Sequence, residues 1–281
     1  MPLIKMETNP LLKLVNSSGF IFQVGVRREV ERTSNDHGWA VLSQECRWEH
    51  PEQELSGFID LVLEHPLRNL RIVIECKRAT GRDWVFLAPE GYTTSSKKVS
   101  SFWIRDRGST QKDDSDYAWL DPDALPESPE SRFCIVQGQE DGKTPMLERI
   151  ADTLLPATEA LAFKYPREKA GLHRFYFPVI VTNANLYVCR FDPNKIDMGI
   201  GKLREGKEEF ESVKMVRFRK SLANRSEPSK FLQTFDLLRN KEKQTVLIMN
   251  AVSLSEILEK FNLTPNTVDY LIYWLDAKRR E

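Results

Sequence analysis

Asp60, Glu75 and Lys77 are the residues of this chain whose types and spacing could do chemistry. They fall in the stretch GFIDLVLEHPLRNLRIVIECK, residues 57–77. Asp60 interrupts one apolar run, and a second run closes on Glu75-Cys76-Lys77. Carboxylates and an ammonium among Ile, Val and Leu are costly to bury unless they pair or bind a cation. Two carboxylates beside a lysine can hold a divalent metal and position a water, the equipment for cutting a phosphodiester bond.

The elements that must position these groups follow from periodicity. Phe22, Val26, Val30 and Thr33 recur on one face of a 3.6-residue repeat, which predicts a helix over 20–37, with Gly38 suited to its C-terminal cap. Glu29 lies beside Val30 on that inner face, where a carboxylate needs a partner. Trp39–Trp48 reads as a strand. The next two strands carry the acids. Ile59, Leu61 and Leu63 share one face of the first, and Phe58, Asp60 and Val62 the other. On the second, Ile72, Ile74 and Cys76 oppose Val73, Glu75 and Lys77. Pro66 and Asn69 make the connection a turn, so antiparallel pairing would set Asp60 across from Glu75 at about 5 Å. Both faces are mainly apolar, as expected of central strands covered on both sides.

Further along, Trp84–Leu87 reads as a short strand. Residues 90–131 read as a polar, acidic surface insertion, partly ordered through Phe102, Trp103, Tyr117 and Trp119. A helix is predicted over 144–163, kinked or split at Pro156. Phe175–Thr182 and Leu186–Phe191 read as a strand pair around Asn183-Ala184-Asn185. Val213–Lys220 and Thr245–Met249 read as strands and Ser229–Asn240 as a helix. Ser253–Phe261 and Pro265–Ala277 complete the chain as a helical hairpin.

The order of helix with Glu, strand, strand with Asp, strand with Glu-x-Lys resembles the PD-(D/E)xK nuclease superfamily, over roughly residues 20–88. The resemblance implies an α/β, restriction-endonuclease-like fold with a mixed central sheet flanked by helices. It places a nuclease domain over 1–250 (core 20–88, acidic insertion 90–131) and packs the hairpin of 251–281 on it. It also implies a Mg2+-dependent hydrolase, with Mn2+ as a possible substitute. Asp60 matches the first acid, Glu75 the second, Lys77 the lysine and Glu29 the helix glutamate. The metal shell would be Asp60, Glu75 and the Cys76 backbone carbonyl, with Glu29 through water or at a second ion. Ile59 stands where the family's name records Pro. The expected substrate is DNA ahead of RNA, and the expected setting restriction, phage defence or DNA processing, as a homodimer or with a partner protein.

Two other readings stay open at this point. Glu75 or Asp60 could simply pair with Lys77 as a structural ion pair. The fold could also serve as a catalytically inactive nucleic-acid-binding or adaptor module.

The chain has 281 residues with 41 basic and 41 acidic side chains, so bulk charge does not favour a polyanion. The acids are segregated, however. Residues 106–131 hold eight of them against Arg107 and Lys112, leaving 39 basic and 33 acidic residues elsewhere, a net of about +6. That segment is a candidate gate over the site. Arg217, Arg219 and Lys220 alternate with Val216 and Phe218, the pattern of a phosphate-contacting stripe on one strand face. Gln137 and Gln139 are weaker candidates for the site. The four cysteines show no Cys-x-x-Cys pair, and the histidines no zinc-ligand spacing. No signal peptide or membrane-length apolar run is present, so the expected location is the cytoplasm.

Overall fold

A computed structural model describes residues 9–50, 53–79, 82–91, 95–105, 116–138, 144–164, 172–206, 208–221, 243–265 and Tyr273. Its helices are α1 (Pro10–Ser17), α2 (Phe20–Arg32), α3 (Ser34–His37), α4 (Met146–Lys164) and α5 (Leu254–Lys260). The strands begin with β1 (Ala40–His50), β2 (Leu55–His65), β3 (Leu70–Lys77), β4 (Asp83–Pro89), β5 (Ser96–Lys98) and β6 (Ser101–Arg105). Then come β7 (Asp116–Leu120), β8 (Asp123–Ser128), β9 (Glu130–Ser131), β10 (Cys134–Val136), β11 (His173–Thr182) and β12 (Asn185–Phe191). The last are β13 (Ile196–Asp197), β14 (Lys202–Leu203), β15 (Glu208–Val213), β16 (Met215–Lys220), β17 (Gln244–Asn250) and β18 (Asn262–Leu263).

The central sheet is mixed, in the order β1-β2-β3-β11-β17-β16-β9, with the β6–β7 hairpin joined to β11. β3, β11 and β17 run parallel, and β1, β2 and β3 form an antiparallel meander. Val26 and Val30 of α2 pack with Leu61, Leu63, Ile72 and Ile74 on one face, where α5 adds Leu254, Ile257 and Leu258. Val62 and Val73 face the other way, against Leu147, Ala151, Leu154 and Leu161 of α4. The 3.6-residue stripe of α2 and the period-2 alternation of β2 and β3 thus meet as the residue types require. A smaller sheet, β10-β4-β12-β15, contributes Trp84, Phe86, Leu186 and Val188 to the α4 side.

Several expectations need correction. α2 stops at Arg32, and the short α3 completes the segment, ending at Gly38 in the left-handed region (φ 74°) as anticipated. α4 runs unbroken through Pro156, held by continuous burial from Leu154 to Ala162. β11 and β12 are not a hairpin. β11 lies in the central sheet and β12 in the smaller one, parallel to β4. The described parts of the 90–131 segment are no surface excursion. β6 is buried along its whole length, and Phe102 and Trp119 sit in the core. The helix predicted over 229–240 lies outside the described residues, as does nearly all of 265–277. In place of the hairpin's turn, Asn262 and Leu263 pair with β8. None of the described helices is long and apolar enough to cross a membrane.

Two of the crossings from the central sheet to the smaller one lie side by side: from β3 to β4 and from β11 to β12. Lys77 pairs in register with Thr182 before the crossing, and Asp83 with Asn185 after it. Asn183 Oδ1 accepts the Ala79 N–H at 2.7 Å, and Asn185 Nδ2 donates to Asp83 Oδ1 at 2.8 Å.

Candidate functional site: the open end of β2 and β3

The β2–β3 ladder closes with Leu61 opposite Ile74. One residue further, at Asp60 and Glu75, the ladder has stopped. Here the strands part. Ile59 leaves the face of Leu61 and joins Cys46 and Trp48 in the other apolar cluster. Asp60 Oδ2 accepts the Cys76 N–H at 2.6 Å, a side chain serving the edge of the strand where the regular ladder has stopped. From α2, the buried Gln23 donates from Nε2 to the Asp60 carbonyl at 3.1 Å. Gln23 escaped the sequence reading, although it occupies the Val26–Val30 stripe three residues earlier.

Lys77 Nζ lies 2.6 Å from Glu75 Oε1, both side chains half-buried. Asp60, Glu75 and Lys77 are therefore grouped where the ladder ends, with Glu75 and Lys77 close enough to act on the charge of Asp60. The convergence leaves more negative charge than the ammonium offsets. Asp60 is pushed up to about 6, first by burial and then by the charge of Glu75, with the Cys76 N–H and Lys77 pulling the other way. The Cys76 thiol, packed toward α2, is pushed up by burial, so it is no nucleophile at neutral pH.

Glu29 does not join the cluster. Its carboxylate takes two hydrogen bonds from Arg32, at 2.7 and 3.1 Å, and this holds it below its ordinary value. It lines a neighbouring cleft of about 510 Å³ with Asn16, Phe22, Arg78 and Asn183. Gln137 is exposed, and its Oε1 accepts from the Asp83 N–H at 3.3 Å; Gln139 is outside the described residues.

The basic stripe is overturned. Arg217 is 0% exposed and Arg219 7%. Arg217 donates from Nε to the Lys98 carbonyl at 3.1 Å and from Nη2 to the Ala124 and Pro126 carbonyls at 2.8 and 2.9 Å. Arg219 binds Asp121 at 3.0 Å, and Lys220 is paired with Glu148. The face that alternation assigned to solvent is covered by β5 and β8, so these cations hold the protein to itself. Two acids of the insertion are committed too: Asp121 to Arg219 and Asp123 to Lys98 at 2.9 Å. Asp106, Asp113 and Asp114 lie outside the described residues, and deleting 108–130 would remove core strands.

Comparison with protein-family models, characterised proteins and solved structures finds no match. Among the described residues, no group of three or more His, Cys, Asp and Glu side chains is placed to hold a metal. What this end of the sheet offers a cation is the pair Asp60 and Glu75, each with one oxygen engaged by the protein, through Cys76 and Lys77. Mg2+ keeps several waters and commonly takes one or two carboxylates together with substrate phosphates, so the pair suits it. The raised proton affinity of Asp60 comes first from its burial and only then from the charge of Glu75.

Proposed function

We propose that the chain is a metal-dependent nuclease of the restriction-endonuclease-like type that hydrolyses phosphodiester bonds, with DNA favoured over RNA. The observation that carries this reading is the meeting of Asp60, Glu75 and Lys77 where β2 and β3 part. Asp60 and Glu75 would hold Mg2+ or Mn2+, which supplies charge neutralisation at the scissile phosphate and acidifies a bound water. Lys77, a compact donor held by Glu75, orients the attacking water or faces the charge that builds on the phosphate. Gln23 and the Cys76 N–H fix Asp60 at its backbone and at one carboxylate oxygen. That leaves the other oxygen to work on the reacting side.

A second reading, a nuclease-like binding module without catalysis, draws support from Glu29. Its tie to Arg32 leaves the described site with two acids where three were expected. The two readings separate on supercoiled plasmid incubated with Mg2+ or Mn2+, with a matched RNA as competitor substrate. Metal-dependent nicking that EDTA abolishes supports the enzyme. Binding without any nicking, in either metal, rejects the enzyme and supports the module.

A further inference from the structure

Lys77 is held by Glu75, but the next side chain, the exposed Arg78, has no ion pair or hydrogen bond among the described residues. It lines the cleft of about 510 Å³ beside α2. That cleft lies where the parallel strands end. Lys77, Thr182 and Asn250 stand in register as the last residues of β3, β11 and β17, and the residues that follow them, Arg78, Asn183 and Ala251, all line it. The crevice outside the carboxyl ends of parallel strands is the usual ligand position in open α/β sheets. The facing wall is α2, where Phe22, Gly25, Val26 and Glu29 recur at i, i+3, i+4 and i+7 and so share one side of the helix.

Two details of the lining point to an anion. Glu29, the acid of the lining, is already bonded twice by Arg32, so it does not neutralise Arg78. Asn183 Oδ1 accepts the Ala79 N–H at 2.7 Å, which leaves the Nδ2 donor without a partner among the described residues. A guanidinium beside an amide donor suits the oxygens of a phosphate. A third detail concerns space. Glycine is unfavourable inside a helix, yet Gly25 sits mid-way along α2, and a Cβ there would meet nothing within 4 Å. Packing within the protein does not require the glycine, whereas close approach of a ligand to the helix backbone does.

We infer that this cleft holds one nucleotide unit of a nucleic-acid strand, its phosphate on Arg78 and the Asn183 amide, its sugar and base against Ile21, Phe22 and the bare backbone of Gly25. The identity of the ligand rests on the nucleic-acid reading proposed above. Ile21 is 48% exposed and Phe22 half-buried, so both offer apolar surface to the opening. The volume lies within the usual range for small-ligand pockets. Because Arg78 follows Lys77 directly, a strand lying across the end of β3 would meet the two cations in succession, Lys77 at the scissile phosphate and Arg78 at its neighbour.

The test is binding of a fluorescently labelled single-stranded DNA oligonucleotide to the full chain in EDTA, followed by anisotropy at several salt concentrations. Arg78→Ala should weaken binding about tenfold and lower the slope of log K against log[salt] by about 0.7, the share of one phosphate on a single strand. Gly25→Leu should weaken binding about tenfold by filling the cleft. It should not lower the melting temperature, because its Cβ meets no protein atom and leucine is the better helix former. The inference falls if the wild type does not bind the oligonucleotide, or if Arg78→Ala keeps both affinity and salt slope. It falls equally if folded Gly25→Leu binds like the wild type. Plasmid nicking by the wild type, scored separately, tells which statement has failed. Nicking alongside variants that bind normally removes this site alone. Binding that depends on Arg78 and Gly25 without any nicking removes the nuclease and leaves the site.

Discussion

Two charge clusters in this protein, one buried and one half-buried, are built to opposite specifications. Around Arg217, the guanidinium is surrounded by carbonyls from Lys98, Ala124 and Pro126 and by the Ser128 hydroxyl. Burial pushes it down to about 10, so it stays charged at neutral pH. Around Asp60, two carboxylates face one ammonium, and the acid is pushed up to about 6. The first cluster is saturated by the protein, which is what a structural charge requires. The second is left short of positive charge, and on the proposed function that is where the metal would bind. Saturation separates the two better than residue type does, because Arg217 was the better phosphate ligand by type.

The contrast is broken or sharpened by substitution. The largest effect is expected on catalysis: Lys77→Ala should lower plasmid nicking by at least about 100-fold while plasmid binding persists. Nicking at wild-type rates would return Lys77 to a purely structural pairing with Glu75. Next, Arg217→Met should cost about 3–5 kcal/mol, because it strands several buried acceptors. Denaturant unfolding would report this, and the folded fraction should still nick at the wild-type rate. A normal stability with lost nucleic-acid binding would reinstate the stripe.

Asp60→Asn carries a signed prediction. The folded carboxyl binds its proton more tightly than the ordinary value of 3.8, so its ionisation opposes folding. The stability it lends is complete below about pH 4 and is lost as pH rises through 6. With solvent screening allowed for, the variant should gain about 1–2 kcal/mol at pH 7.5 in EDTA and nothing at pH 4. Mg2+ should raise the melting temperature of the wild type and leave that of the variant unmoved. Thermal melts at the two pH values, with and without metal, decide it. The smallest effect belongs to Glu29→Gln, whose exposed pairing with Arg32 predicts a change within about 0.5 kcal/mol and nicking within about threefold. A loss comparable to that of Lys77→Ala would bring Glu29 into the site.

The acid-bearing strands were legible because their residues obey two periodicities that do not depend on the rest of the chain. Leu61, Leu63, Ile72 and Ile74 alternate cleanly, and a short turn joins the strands, so the ladder as far as Leu61–Ile74 was legible; beyond it the alternation fails, with Ile59 on the side of Val62. The Arg217 face was misread because alternation says which side chains share a face, not what covers it. The covering strands, β5 and β8, come from a segment whose acidic flanks disguised two buried aromatic strands, SFWIR and DYAWL. Asn183-Ala184-Asn185 was taken for a hairpin because a short turn and a short crossing between sheets look alike locally. Gln23 was visible as a polar residue on an apolar stripe, and an amide there signals a buried partner as surely as a glutamate does.

The paired crossings between the two sheets carry a mechanical implication. Lys77 is the last ladder residue of β3 before the chain changes sheet, and Asn183 clips the adjoining crossing to Ala79 only two residues later. Sliding of the smaller sheet against the larger would therefore reach the backbone of Lys77 before that of Glu75, so the lysine's aim is what such a motion would disturb first along β3.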